Sequence, residues 1–430
     1  MEQTVVQGKI GGSVRAPASK SSTQRAIASA LLCARETGPS ILRNPGRSAD
    51  CLAALEVARA LGAEVEDSGD TLSILGADTL PSQDSREGTR RELHCGESGL
   101  ALRMFSPIAT IFPGESILLG SGSLERRPVA MLEAPLRELG AYIETRAGLP
   151  PVRVHGPLLG GAALVDGSES SQFLTGLLLA LPRALNDTVL DVPALASGGY
   201  VDLTITTMEA FGVRVAEKSL PHGGRRFGVR SGQSYHACDF DVEGDWSGAA
   251  FLLVAGVIAG VPGGLLVSGL QPDSRQPDRA ILDALRQCGA DISVDGQAVV
   301  ARLSALVPFD FDATNCPDLF PPLAALAATI DGESLIRGAQ RLHAKESDRA
   351  ATIAAAFKAL GAEVSVEGDL MRIRGGSLHG GIIDAAGDHR IAMAAAVAAL
   401  VAEGKVVIPG ADCVAKSWPG FFADLESLRK

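Results

Sequence analysis

The sequence predicts an α/β protein built from six copies of one unit. A phrase of the type Leu-Gly-Ala-Glu-Val-Glu recurs along the chain and begins at residues 61, 139, 211, 288 and 360. A second, apolar pattern recurs with the same interval and is offset from the first. Since the interval is about 72 residues, the 430 residues hold six units, and the period is the primary clue to the architecture.

Each copy of the phrase closes an apolar-periodic stretch such as LAALEVARALG or IAAAFKALG. The spacing of the apolar residues is typical of an amphipathic helix, and the glycine suits the left-handed residue that follows a helix C-terminus. The Val-rich residues behind the glycine favour a strand. Each phrase therefore predicts a helix, a glycine stop and a strand.

The second pattern predicts six further helices that are rich in Ala and Leu and therefore buried. They begin near Ser21, Ser98, Ser170, Trp246, Asp318 and His389. Short stretches such as SILLG, TVLDVP, GLLVSG, ESLIRG and KVVIPG lie between the two helix series and fit strands.

The last copy ends after its helix, PGFFADLESLRK, without a following strand phrase. The strand-like opening TVVQGKIGGSVRAP can supply the missing strands, which would bring the chain ends together. We therefore expect a discontinuous lobe of residues 1–19 and 240–430 and a second lobe of residues 20–239, with three units each and the active site in the cleft between them. A solenoid is the alternative, although its repeats are usually 20–50 residues long.

Composition excludes several classes of function. The net charge is −11, which repels nucleic acids and anionic membranes, and only 4% of the residues are aromatic. The longest apolar run, residues 251–261, is too short to cross a bilayer. Seven scattered cysteines argue against a disulfide framework and against thiolate zinc sites, so we expect reduced thiols, no metal and a cytoplasmic location.

The first turns of the buried helices carry the concentrated Ser, Gly, Lys, Arg and Asp of the chain, in the phrases SKSSTQR, CGESGLALR, SESSQFL and GDHRIAM. Helix N-termini present free N–H groups and partial positive charge, so several of them together would bind phosphates or carboxylates. Taken singly, each phrase is also explained by helix capping or a surface ion pair. VEGDWSGAAF is interpreted as structural, with Asp245 as a cap.

Signatures of common enzyme classes are missing from the sequence. It contains no GxxxxGK[ST] loop, no strand-linked GxGxxG, no HExxH and no GxSxG. Nucleotide hydrolysis, dinucleotide redox chemistry, zinc proteolysis and serine esterase chemistry are therefore disfavoured.

In their order and spacing, the phrases SKSSTQR, SGLALR, ERRPV, SSQFLTGLLLALP, SGGYVDLT, VEGDWSGAAF, AKESDR, GDHRIAMA and AKSWPGFF resemble the EPSP synthase family, the 3-phosphoshikimate 1-carboxyvinyltransferases. The resemblance implies a two-domain inside-out α/β fold of six units. It implies transfer of the enolpyruvyl group of phosphoenolpyruvate to the 5-hydroxyl of shikimate 3-phosphate, in the shikimate pathway to chorismate and aromatic amino acids. It also implies no cofactor, and we expect a monomer.

The resemblance assigns two overlapping sets of binding residues. Shikimate 3-phosphate would be held by Lys20, Ser21, Arg25, Ser170, Ser171, Gln172, Ser197, Tyr200, Asp318 and Lys345. Phosphoenolpyruvate would be held by Lys20, Gly99, Arg127, Gln172, Arg349, Arg390 and Lys416. The implied catalytic residues are Asp318, which accepts the hydroxyl proton, Glu346, which protonates C3, and Lys20 and Lys416, which stabilise charge or relay protons.

Three positions depart from the family pattern. Glu97 and Leu100 replace an Asn and a Thr in the stretch Glu97-Ser98-Gly99-Leu100, and Arg341 stands where Asn is frequent. Glu97 would either weaken anion binding or face a neighbouring cation, and Arg341 would add a phosphate contact. Gly99 leaves room for glyphosate, so we expect inhibition by it.

Three alternatives stay open at this stage. UDP-N-acetylglucosamine enolpyruvyl transferase shares the donor, but its loop cysteine is missing from GSGSLERRP. A catalytically silent binding homologue would fit Glu97 and Leu100. An interaction scaffold would not need cations at its helix starts.

Overall fold

The computed structural model of the protein describes residues 1–78, 90–343 and 345–430. Contacts divide the chain into two units. The C-terminal unit comprises Met1–Pro17 and Glu243–Lys430, and the central unit comprises Ala18–Val242. Each unit has its own hydrophobic core. Within the described ranges, no helix combines the length and the apolar character that crossing a membrane requires.

Two strands open the chain, β1 (Glu2–Val6) and β2 (Ile10–Arg15). The elements of the central unit follow in the order α1 (Lys20–Leu31), β3 (Ser40–Arg43), α2 (Ala49–Ala60), β4 (Glu64–Asp67), β5 (Thr71–Leu75), β6 (Arg90–His94), α3 (Gly99–Ala109), β7 (Glu115–Leu119), α4 (Glu133–Glu138), β8 (Tyr142–Arg146), β9 (Leu149–His155), β10 (Gly161–Leu164), α5 (Gln172–Ala180), β11 (Thr188–Val192), α6 (Gly198–Ala210), β12 (Val215–Ser219), β13 (Arg225–Val229) and β14 (Asp239–Asp241).

The rest of the C-terminal unit follows the same plan. Its elements are α7 (Trp246–Ala259), β15 (Gly260–Ser268), α8 (Ile281–Gln287), β16 (Asp291–Asp295), β17 (Ala298–Arg302), β18 (Asp310–Asp312), α9 (Phe320–Ala328), β19 (Gly332–Arg337), α10 (Arg349–Ala359), β20 (Glu363–Glu367), β21 (Leu370–Gly375), β22 (His379–Ile382), α11 (His389–Ala399), β23 (Glu403–Pro409) and α12 (Phe421–Ser427).

The sheets repeat one topology. In the central unit the strand orders are β14-β3-β5-β4, β6-β7-β9-β8 and β10-β11-β13-β12, and the first pair of each sheet is parallel. In the C-terminal unit the orders are β16-β17-β15-β2, β18-β19-β21-β20 and β1-β23-β22, and each again has one parallel pair. Each parallel strand follows a long connection, as parallel pairing requires.

The two N-terminal strands belong to sheets of the C-terminal unit. β1 pairs antiparallel with β23, from Glu2 opposite Pro409 to Val6 opposite Lys405. β2 joins the fourth repeat instead, where it runs parallel to β15. The chain ends meet, since the N–H of Lys430 donates to the carbonyl of Lys9.

The predicted helix, glycine and strand phrase is confirmed in the five repeats that carry it. α2, α4, α6, α8 and α10 each end two residues before a glycine with positive φ, namely Gly62, Gly140, Gly212, Gly289 and Gly361. β4, β8, β12, β16 and β20 follow directly. Glycine is favoured there because a Cβ disfavours the left-handed conformation.

The second helix series is buried, also as predicted. In α3, α7, α9 and α11 every residue is buried, and α1 and α5 are buried apart from their first residues. Helices without a polar face gain stability only inside a core. α1, α3 and α5 therefore form the interior of the central unit, and α7, α9 and α11 form that of the C-terminal unit.

Candidate functional site

The N-termini of the buried helices carry the polar groups that the sequence singles out. Ser19 caps α1, because its side chain accepts a hydrogen bond from the N–H of Ser22. Lys20, the first residue of α1, places Nζ 2.9 Å from Oδ2 of Asp50 in the first turn of α2. Asp245 caps α7 through the N–H of Gly248, which confirms its structural interpretation.

Arg25 lies one turn into α1 and is buried among neutral partners. Its guanidinium donates to the hydroxyls of Thr204 and Thr175 at 2.9 and 3.2 Å and to the carbonyls of Ser21 and Tyr200 at 2.8 and 3.1 Å. Within the described residues it pairs with no carboxylate, and burial lowers the pKa of Arg25 to about 10. A buried cation without a counter-ion favours the approach of an anion.

The side chain of Arg127 has still fewer polar partners among the described residues than that of Arg25. Its side chain is 7% exposed, and it donates no hydrogen bond and forms no ion pair in the parts of the chain that the structure describes. The guanidinium lies against Gly99 at the start of α3, where an added Cβ would be 2.6 Å from Nη1 of Arg127. Ser98 caps α3 through the N–H of Ala101, so the N–H groups of the first turn lie beside the same cation.

The N-termini of two further helices in the central unit, α5 and α6, carry polar side chains. Arg103 donates from Nη1 to Oε1 of Gln172 at 2.7 Å, so the amide of Gln172 has its N–H groups on the other side and acts there as a donor. Ser197 precedes α6 with φ of +55°, a left-handed conformation that is uncommon for a residue with a Cβ. Such strain is frequent at functional sites.

The C-terminal unit contains a different arrangement, centred on the fully buried Arg349. This guanidinium pairs with Asp318 at 2.8 Å, with Asp388 at 2.9 Å and with Glu346. Asp318 also binds Arg390, whose Nη2 lies 2.7 Å from Oδ2. The two oxygens of Asp318 are therefore divided between two arginines.

Charge determines the protonation of this cluster. Burial alone would raise the pKa of Asp318, but the nearby charges of Arg390, Arg349 and Lys345 outweigh it and hold that pKa well below its usual range. Burial lowers the pKa of Lys345 to about 8, although Asp318 acts in the opposite direction. Asp318 is thus an ionised acceptor, and Lys345 titrates close to neutral pH.

Two more cations lie in short 3-10 helices of the same unit. Nη1 of Arg341 donates to the carbonyl of Thr314 at 2.6 Å, and Nζ of Lys416 donates to the carbonyl of Gly387 at 3.0 Å. Gly387 precedes Asp388, the residue that caps α11. Chemically, the central unit offers buried cations to an anion, and the C-terminal unit offers an ionised carboxylate among cations.

Comparison with known proteins decides the family. The family model described as EPSP synthase (3-phosphoshikimate 1-carboxyvinyltransferase) matches residues 5–425. The chain belongs to the EPSP synthase family. Two relatives, the 3-phosphoshikimate 1-carboxyvinyltransferases of Aeropyrum pernix and Methanocorpusculum labreanum, are 40% and 38% identical over 97% and 100% of this chain and 93% and 98% of their own.

Solved structures agree. The EPSP synthase of Acinetobacter baumannii superposes with a TM-score of 0.80 at 26% identity, covering 100% of this chain and 98% of its own. The enolpyruvyl transferase NikO from Streptomyces tendae has a TM-score of 0.73 at 20% identity over 99% of this chain and 97% of its own, a likeness of fold alone. The predictions of family, fold class and transferase activity are confirmed, and the alternative functions are not favoured.

Within this EPSP synthase fold, each unit brings together its own predicted site residues. In the central unit, Arg25 contacts Ser21 and Tyr200, and Gly99 contacts Arg127. In the C-terminal unit, Asp318, Glu346, Arg349 and Arg390 form one network with Asp388. Ala344, the first residue of the AKESDR motif, lies outside the described residues.

Three details are not what the local sequence alone predicts. The i, i+3 and i, i+4 spacing of Lys345, Glu346 and Arg349 is typical of one helix face, but Asp348 caps α10 and the helix begins only at Arg349. Proline is frequent as the first residue of a helix, but Pro128 does not open one, since α4 begins at Glu133. The cation of Arg390, at the start of a buried helix, requires an anion, and that anion is Asp318 of the same chain and not a ligand.

Sequence reasoning missed several residues that hold the site together. Asp50 pairs with Lys20. Asp388 binds Arg349, and Ser247 binds Arg390. Thr175 and Thr204 bind Arg25. The acidic start of GDHRIAM was the only visible signal for Asp388. The others are separated from their partners by 30 to 179 residues, so only the fold pairs them.

Proposed function

We propose that this chain transfers the enolpyruvyl group of phosphoenolpyruvate to the 5-hydroxyl of shikimate 3-phosphate and releases phosphate. The observation that carries the proposal is Arg127, a buried residue that is 7% exposed, whose side chain lies beside the N-terminus of α3 and has no counter-ion among the described residues. A site of this kind suits a doubly charged carboxylate-phosphate donor.

The proposed acceptor set comprises hydroxyl, amide and cationic groups. Ser21, Arg25, Ser170, Ser171, Gln172, Ser197, Tyr200 and Lys345 hold shikimate 3-phosphate in this proposal. The neutral surroundings of Arg25 support it, because a phosphate monoester would supply the negative charge that no described carboxylate supplies there.

The proposed donor set holds phosphoenolpyruvate through Lys20, Gly99, Arg127, Gln172, Arg349, Arg390 and Lys416. Arg349 and Arg390 already bind Asp318, so the donor shares them with that carboxylate. Its negative charge offsets the field of the two arginines at Asp318. The pKa of Asp318 then rises toward the value that a proton acceptor requires.

In the proposed mechanism Asp318 accepts the proton of the 5-hydroxyl as its oxygen attacks C2 of phosphoenolpyruvate. Glu346 donates a proton to C3, which gives a tetrahedral intermediate. In the elimination, Glu346 takes a proton back from C3 as the C2–O bond to phosphate breaks, Asp318 gives its proton to the departing phosphate, and the enol ether forms. Lys20 and Lys416 stabilise the negative charge that develops on the phosphate.

Two finer properties belong to the same proposal. Glyphosate, a small anion with phosphonate and carboxylate groups, would occupy the donor positions beside Gly99 and compete with phosphoenolpyruvate. The protein would act as a monomer in the cytoplasm, where its seven free cysteines stay reduced.

A phosphate-release assay tests the proposal. The enzyme is incubated with phosphoenolpyruvate and one acceptor at a time, either shikimate 3-phosphate or UDP-N-acetylglucosamine. We expect release with the first acceptor alone, and competitive inhibition by glyphosate at millimolar concentration. Release only with the sugar nucleotide, or binding of both substrates without turnover, would reject the proposed reaction.

A further inference from the structure

The segment that carries Arg127 is anchored by a carboxylate from the preceding strand connection. Glu97 stands two residues before α3, and its Oε2 accepts hydrogen bonds from both the N–H and the Oγ of Ser123, each at 3.0 Å. Ser123 belongs to the 3-10 turn Gly122–Arg126, which ends at Arg127. One carboxylate oxygen therefore holds the N-terminal side of the turn.

The backbone around this contact is shaped to admit the carboxylate. Gly122 has φ of +56°, and a Cβ there would lie 2.6 Å from Oε2 of Glu97. The N–H of Ser121 donates to the carbonyl of Gly96 at 2.8 Å, so the turn is docked on the residues just before Glu97. Leu124 fixes the other face of the turn in the core, where it is fully buried.

A second anchor lies beyond Arg127. Nη2 of Arg103, on α3, donates to the carbonyl of Pro128 at 2.8 Å. Arg127 thus stands between two fixed points, both supplied by residues that flank or belong to α3. Since its own side chain has no partner within the described residues, its position rests on these backbone anchors and on Gly99 beneath it.

We propose that Glu97 is a positioning residue for phosphoenolpyruvate binding, which acts by holding Ser123 and thereby the Arg127 guanidinium over Gly99. This inference rests on the proposed function. The inference also predicts the sign of the effect that Glu97 has on phosphoenolpyruvate binding. A carboxylate that only repels the anionic donor would weaken binding, whereas a positioning carboxylate strengthens it.

Steady-state kinetics of Glu97→Ala, Glu97→Gln and Ser123→Ala separate the two roles, with Glu125→Ala as the matched control. Glu125 is exposed in the same turn, so the control removes the same charge without touching Ser123. We expect Glu97→Ala to raise the KM for phosphoenolpyruvate about ten- to a hundredfold, as loss of a charged hydrogen-bond acceptor predicts, with little change in the KM for shikimate 3-phosphate.

The amide oxygen of Glu97→Gln still accepts from Ser123, so its KM should stay within about fivefold of the wild type. Adding Ser123→Ala to Glu97→Ala should cost less than Ser123→Ala alone, because the two residues act through one contact. A KM that falls or does not change in Glu97→Ala would overturn the inference, as would a Glu97→Gln variant as impaired as Glu97→Ala.

Folding and the underlying reaction are checked separately. Thermal unfolding shows whether each variant is folded. If Glu97→Ala does not fold, the KM values for phosphoenolpyruvate of Glu97→Gln and Ser123→Ala are used for the test. Wild-type turnover in the same assay tests the proposed function itself. Should it be absent, the ranking of the variants is read from calorimetric binding of phosphoenolpyruvate.

Discussion

Gly99 lies directly against the guanidinium of Arg127, so closely that a Cβ on residue 99 would stand 2.9 Å from Cζ. The first turn of α3 packs against the Arg127 guanidinium, so the size of the side chain at residue 99 determines the position of that guanidinium.

Replacing Gly99 by Ala should therefore displace Arg127 and raise the KM for phosphoenolpyruvate about five- to a hundredfold, in line with the cost of overpacking. Glyphosate inhibition should weaken in parallel. Gly263→Ala is the matched control, because a Cβ there meets open space. Unchanged donor and glyphosate constants in Gly99→Ala would show that Arg127 does not bind the donor.

Arg127→Met should separate stability from binding. It removes a buried charge that has no partner among the described residues, so the free energy of unfolding should increase by about 1 to 3 kcal/mol while phosphoenolpyruvate binding is largely lost. Arg126→Met, at the exposed neighbouring position, should change neither. Chemical denaturation and calorimetric titration measure the two quantities. A destabilised Arg127→Met with normal binding would mean that the guanidinium is structural.

Asp318→Asn should lower kcat by about a hundred- to ten-thousandfold, the usual contribution of a proton acceptor. The amide cannot take the hydroxyl proton, although its size is the same. Asp310→Asn is the control, since Asp310 forms an exposed ion pair with Arg337. If Asp318→Asn retained more than a tenth of the wild-type kcat, another group would have to accept the proton.

Binding of shikimate 3-phosphate should be accompanied by proton uptake at pH 8. Burial lowers the pKa of Lys345 from 10.5 to about 8, so about half of this amine is neutral at that pH. A bound phosphate raises the pKa again, and roughly half a proton is taken up per site, falling toward zero at pH 6.

Calorimetry in buffers of different ionisation enthalpy measures this uptake. Lys345→Met should abolish it, whereas Lys358→Met, on the exposed face of α10, should not. Because the folded pKa lies below the unfolded one, Lys345 also lowers stability below pH 8, and this penalty disappears between pH 8 and 10.5. Uptake that persists in Lys345→Met would assign the proton to another group.

The repeat made most of the fold predictable. In five of the six units a glycine at one position ends the exposed helix, and an uncharged Ala and Leu pattern identifies the buried helix, because both requirements are local. β2 was harder to place, since its pairing with β15 joins residues about 250 apart and both the fourth and the sixth repeat could accept a strand.

The site was predictable only in part, through the resemblance of its motifs. Arg349 and Arg390 could be named, but their shared carboxylate could not be derived from spacing, because Asp318 and Arg349 lie in the fifth repeat whereas Asp388 and Arg390 lie in the sixth. The helix start at Arg349 depends on the cap at Asp348, which competes with the helical spacing of Lys345, Glu346 and Arg349. The turn Gly122–Arg126 before Arg127 is not part of the repeated sequence pattern, so the repeat could not predict it.

The most direct test follows the enolpyruvyl carbons themselves. Phosphoenolpyruvate labelled with carbon-13 at C2 is mixed with shikimate 3-phosphate and the enzyme, and the products are followed by carbon and phosphorus nuclear magnetic resonance. The label should move into an enol ether at the 5-oxygen of shikimate 3-phosphate, with one inorganic phosphate released per ether formed. Label that stays in phosphoenolpyruvate, or appears as free pyruvate, would contradict the proposed transfer.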